Sequence, residues 1–101
     1  LRNLSSPDPS AATSTTISWE TYDNGTNTTL TFYYGTTDMG NQTSGWDSST
    51  SFGSTTIGNH SQIVSGLTCC GTNYYGRIQA SNEENSVWFG PLNWTTDYFA
   101  D

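Results

Sequence analysis

Cys69 and Cys70 stand side by side and are the only cysteines in the chain. Neighbouring thiols have three fates. A bond between them closes a small ring that holds the local turn, although ordinary disulfides place their α-carbons ~4.4–6.8 Å apart and adjacent residues sit at or below that limit. The same ring could act as a redox switch or as an apolar plate for a sugar. Two free thiols, or links to another chain, are the third outcome, and a secreted setting disfavours exposed free thiols.

Six asparagines occupy Asn-x-Ser/Thr acceptor sequences: Asn3, Asn24, Asn27, Asn41, Asn59 and Asn93. With 32 Ser and Thr and nine Asn in 101 residues, random placement yields roughly three such sites, so the excess is about twofold. N-linked glycan is the chemistry this pattern would carry. The competing reading is a polar surface that is never modified.

Other constellations are thinner. His60 is the single histidine and lies in a Gly-Asn-His-Ser stretch with no cysteine or carboxylate at ligand-like spacing, which argues against a zinc site or a Ser-His-Asp arrangement. Asp38, Asn41 and Asp47 could surround calcium, but they lack the acidic alternation of a dedicated loop. Glu83 and Glu84 are consecutive and diverge on a hairpin, whereas a glycosidase needs two carboxylates converging on one bond. No Gly-rich phosphate loop is present. The chemistry therefore points to a protein that is not an enzyme and has no cofactor beyond glycan.

Seven short strands separated by turn signals position these groups, in the pattern of an antiparallel sandwich. The clearest strand follows the cysteines. Tyr74, Gly76, Ile78 and Ala80 alternate with Asn73, Tyr75, Arg77 and Gln79, the two-residue period of a half-buried strand. Upstream strands are read at 15–20 and 28–35, with a vague first strand within 4–12, where Pro7 and Pro9 suit an edge. A short edge strand is expected around 46–51, with Trp46 covering one side of the core, and a fifth at 63–65. The seventh spans 86–96 and is interrupted at Gly90-Pro91 by a bulge. The expected core comprises Trp19, Leu30, Phe32, Tyr34, Leu67, Tyr74, Ile78 and Trp94. Tyr33 and Tyr75 then face outward near Arg77 as a contact surface for protein or sugar. Trp88 joins them if Val87 is inward, and is itself inward if counted back from Trp94.

Taken together, Trp19 on an early strand, the Thr28 to Gly35 strand, and Gly66-Leu67 before the Tyr74 alternation resemble the fibronectin type III family of immunoglobulin-like sandwiches. Tyr34 to Asp38, Trp46-Asp47 and Trp94-Thr95-Thr96 are similar to divergent modules repeated in bacterial secreted and surface proteins. The resemblance implies an all-β, seven-stranded antiparallel β-sandwich with Greek-key connections over residues 1–96, followed by an extension or linker at 97–101. It also implies a single Pro where this chain has Cys69-Cys70, one residue longer, so a structural staple is the preferred role for the pair.

Composition agrees with an extracellular or cell-surface location. A chain of 101 residues supports one core and buries only ~60–65% of its unfolded surface, so the aromatics must supply much of the stability. Only 11% of residues are charged, none is Lys, and the net charge is −7; nucleic acid and anionic membranes are poor partners for such a surface. No run approaches the ~20 apolar residues of a membrane span. The start at Leu1, without Met or a leader, suggests a processed form or a segment of something longer. Apolar Tyr98 and Phe99 at one end, and Leu1 and Leu4 at the other, suggest docking on copies of itself or on neighbouring tandem domains. The expected function is a structural module, either a repeat of a surface protein or the protomer of a glycosylated filament assembled head-to-tail. The alternatives are a carbohydrate-binding or adhesive module using Tyr33, Tyr75 and Trp88, and the spacer of a secreted hydrolase.

Overall fold

The computed structural model describes residues 2–6, 11–21, 28–54, 56–82 and 86–97. Expectations that fall on Pro7, Pro9, Asn24, Asn27, Glu83, Glu84, Tyr98 and Phe99 lie outside those residues.

Seven strands run β1 (Arg2–Ser5), β2 (Ser14–Thr21), β3 (Thr29–Gly35), β4 (Ser48–Ser54), β5 (Gly58–Ser65), β6 (Asn73–Ser81) and β7 (Ser86–Thr95), with no helix among the described residues. They form two antiparallel sheets in a β-sandwich-like fold. One has the order β1-β2-β5 and the other β4-β3-β6-β7. The alternation of β2 buries Thr15, Ile17, Trp19 and Thr21, and that of β6 buries Tyr74, Gly76 and Ile78. Period-two patterning is what places these side chains on one face.

Between the sheets, Ile17, Trp19, Val64 and Leu67 meet Leu30, Phe32, Tyr74, Ile78, Leu92 and Trp94. The aromatic members are stacked in series. His60 lies on Trp19 (5.8 Å between centroids), Trp19 on Phe52 (5.3 Å), Phe52 on Phe32 (5.5 Å), Phe32 on Trp94 (6.1 Å) and Trp94 on Tyr74 (5.6 Å). Tyr34 packs beside Phe32 and is partly buried. Phe52, rather than Trp46, closes this side of the core, because Trp46 donates its indole N–H to the Gln42 carbonyl of its own loop at 2.9 Å. Leu4, expected to be part of an exposed apolar end, packs against the core.

The turn after β5 is held by Thr96. Its Oγ1 accepts from the backbone N–H groups of Cys70 (3.3 Å) and Thr72 (3.1 Å) and donates to the Thr68 carbonyl (3.0 Å). Backbone bonds Gly71 N–H to Thr96 O and Thr96 N–H to Thr72 O complete the clasp. Cys69 and Cys70 are joined in a disulfide, and Cys70 adopts φ 101°, a left-handed conformation uncommon for a residue with a Cβ. Thr96 is fully buried, so Thr96→Val would remove the three hydrogen bonds of its hydroxyl at once and is expected to cost about 2 kcal/mol. Urea unfolding of the two proteins checks this; equal midpoints would remove the hydroxyl from any structural role.

Register also fixes where the first and last described strands lie. Arg2 lies opposite Glu20 at the end of β2, whereas Thr95 lies opposite Asn73 at the start of β6. The start of β6 follows Leu67, whose N–H bonds Thr13 just before β2. The first described strand therefore begins at one pole of the sandwich and the last ends at the other.

Candidate functional site: the outer face of the four-stranded sheet

Side chains that alternate with the core positions build this face. Tyr33 on β3 lies opposite Arg77 on β6, and Gln79 on β6 lies opposite Trp88 on β7. Between Gly76 and Ile78 the β7 ladder shifts, Gly76 pairing with Leu92 and Ile78 with Phe89, so two residues, Gly90 and Pro91, oppose Arg77 alone. This is the bulge expected from the Gly-Pro pair. It settles the direction of Trp88, which shares the outer face with Gln79 while Trp94 remains inward on the other side of the bulge. The rings of Tyr33 and Trp88 meet above β6 with centroids 5.4 Å apart.

Arg77 is not a free cation. Its Nε and Nη2 donate to Asp38 Oδ1 and Oδ2, both at 2.8 Å, and Nη1 donates to Asn41 Oδ1, also at 2.8 Å. Such a bidentate fork is the strongest geometry for this ion pair. It ties the 36–47 loop down onto the sheet. The same loop is anchored by Asp47, whose Oδ2 accepts from the Thr36 N–H (3.0 Å) and hydroxyl (3.3 Å). The calcium reading of Asp38, Asn41 and Asp47 thus meets a physical obstacle: two of the three turn their oxygens toward a guanidinium, and the third is engaged with Thr36.

Hydrogen bonding from Arg77, and then from the Gly40 N–H, holds the Asp38 carboxyl at a pKa of about 2, below its ordinary value of 3.8, while the Asp38 hydrogen bond raises that of Arg77. The folded value is the lower one, so the stabilisation is complete above about pH 4 and disappears as pH falls toward 2. The pair lies near the surface, with side chains 17% and 29% exposed, so solvent screening reduces its worth to about 1 kcal/mol. Asp38→Asn is expected to be less stable than wild type by that amount at pH 7 and equal to it near pH 2. Chemical denaturation at the two pH values reads this, and a gap that persists in acid would assign the loss to packing.

Tyr75 belongs to a separate group. Its hydroxyl accepts from Asn73 Nδ2 at 3.2 Å, and Asn73 Oδ1 accepts from Asn93 Nδ2 at 2.9 Å. The sequence suggested one aromatic patch of Tyr33, Tyr75 and Arg77; the structure divides it into a Tyr33–Trp88 pair and an amide-linked Tyr75, with the loop-capped Arg77 between them. The Asp38–Arg77 pair was missed in the sequence, although Arg77 is one of only two cations in the chain and was bound to attract a carboxylate.

The opposite sheet carries a shallow depression of about 330 Å3 lined by Asn3, Ser18, Trp19, Asn59, His60 and Ser61. His60 lies in β5 with Nε2 2.6 Å from the Thr56 carbonyl. Asn59 also lies within β5, opposite Glu20, and not outside the strand as the expected 63–65 span implies. Asn3 sits in β1 and donates to Glu20 Oε1 at 3.1 Å. Among the described residues no cluster of three metal-ligating side chains occurs. The chain matches no family model and no curated protein.

Proposed function

We propose that this chain is a non-enzymatic extracellular module of the fibronectin type III, immunoglobulin-like kind, packed end to end with copies of itself or with neighbouring domains. The observation that carries the reading is that β1 begins and β7 ends at opposite poles of the sandwich. Such a module can be joined or stacked in series without doubling back, and a head-to-tail contact that does not close propagates into a fibre. The strand order supports the family assignment: the chain changes sheets between β2 and β3, β4 and β5, and β5 and β6, which suits a Greek-key path. The joined cysteines and the surplus of glycan acceptor sequences favour an oxidising, exterior location. Electron microscopy of material from its native source is the test. Filaments with an axial repeat close to the 41 Å long dimension of the domain are expected; discrete particles would overturn self-assembly.

A second reading, glycan binding, is favoured by the Tyr33–Trp88 pair, since adjoining rings offer a face to a sugar. Under that reading Trp88→Ala would abolish retention on immobilised polysaccharide without changing the melting curve.

A further inference from the structure

We propose that Asn41 is a glycan acceptor in the folded protein and that the fold itself withholds Asn93. Both head an Asn-x-Thr sequence, Asn41-Gln42-Thr43 and Asn93-Trp94-Thr95, and both are exposed. Their carboxamides are turned in opposite senses. A guanidinium only donates, so the atom of Asn41 facing Arg77 Nη1 at 2.8 Å is Oδ1, and Nδ2 is directed away from the clamp. At Asn93 the atom facing the Tyr74 carbonyl at 3.1 Å must be a donor, so Nδ2 is turned inward, with its second hydrogen given to Asn73 Oδ1.

The middle residue of each acceptor sequence makes the contrast larger. Gln42 is exposed in a loop, whereas Trp94 is fully buried between Phe32 and Tyr74. A transferase must take the asparagine and the hydroxyl two residues later into one cleft. Thr43 is exposed and belongs to no strand, but Thr95 is paired to Asn73 in the ladder, and lifting it out draws Trp94 from the core. The other two described acceptors share this difficulty in milder form: Leu4, within Asn3-Leu4-Ser5, packs on the core, and His60, within Asn59-His60-Ser61, stacks on Trp19.

In the transfer, Asn41 Nδ2 attacks the anomeric carbon of a lipid-diphosphate-linked oligosaccharide. The new bond joins that carbon to nitrogen, the bond from the carbon to the diphosphate oxygen breaks, and the lipid diphosphate leaves with the electron pair. One Nδ2 proton goes to a base and one remains. Oδ1 is untouched, so the bond from Arg77 survives modification. At Asn93 the remaining hydrogen could serve only one of the two present partners.

In the cell this inference rests on the extracellular reading, because the donor is met on the secretory route, but its test does not. The folded, oxidised chain and two synthetic peptides spanning residues 37–46 and 89–98 would be incubated with a purified oligosaccharyltransferase and its lipid-linked donor, and occupancy read by glycopeptide mass spectrometry. Asn41 in the folded chain is expected to be modified at least about tenfold faster than Asn93, because reaching Asn93 requires opening of β7. The peptides are expected to react at rates within a few-fold of each other. Comparable modification of both sites in the folded chain would overturn the proposal. So would an unmodified Asn41, or the same preference in the peptides, which would trace it to local sequence. Failure of filament assembly leaves this result unaffected, so the two readings fail separately.

Discussion

Trp19→Ala is expected to lower the unfolding free energy by about 3–5 kcal/mol, a large part of the total stability of a domain this size. The indole is 5% exposed and lies between two rings of the series, parallel to Phe52 within 2° and stacked on His60. Truncation leaves a void with β2 on one side and Phe52 on the other, and rings held by a rigid sheet relax into such a void only in part. Trp19→Phe should lose much less, since it keeps a ring on Phe52 and removes an indole N–H that has no hydrogen-bond partner. Thermal and urea unfolding would measure both. An alanine variant that melts with wild type would sink the assignment of Trp19 to the core.

Gly76→Ala is expected to cost about 2–3 kcal/mol by overpacking. A methyl group at this position would run into the Phe32 ring, with Cε1 2.7 Å away and Cζ closer still, and would press on Trp94 at 3.1 Å. Phe32 has no exposed surface and is flanked by Phe52, Tyr34 and Trp94, so it has no ready route of escape. The backbone here is ordinary strand, and the glycine is required for space, not for conformation. The measurement is again the unfolding midpoint, and a neutral substitution would mean that Phe32 can be displaced without penalty.

Much of this arrangement was legible in the residues. The period of two in 73–80 gave the inward set of β6, and with it Tyr33 and Tyr75 as outward positions. Gly76 was placed inward by that count, but nothing in a sequence says which ring fills the space a glycine leaves. The direction of Trp88 was undecidable because a bulge resets the alternation, and only the ladder register shows on which side of it a residue falls. The hydrophobic pattern confines the fifth strand to 63–65, whereas it begins at Gly58. Its first residues are polar because it is an edge strand with Val64 its fully inward apolar residue, so the hydrophobic signal is confined to its end. The shorter span leaves Asn59 outside the strand. The candidate site was less legible, since the Asp38–Arg77 contact spans 39 positions and no local pattern announces it.

That β1 begins and β7 ends at opposite poles has a mechanical corollary. A load applied along the sandwich would draw β1 past β2 and β7 past β6, so the hydrogen bonds of each ladder would bear it together in shear instead of opening one after another. The ladders are unequal. β7 pairs with β6 over most of its length, and Thr96 adds the clasp around the 68–72 turn, whereas β1 has four residues and an irregular register between Arg2 and Ser5. Under tension β1 is therefore the part that yields first, a short give in the domain while the β6–β7 end stays closed.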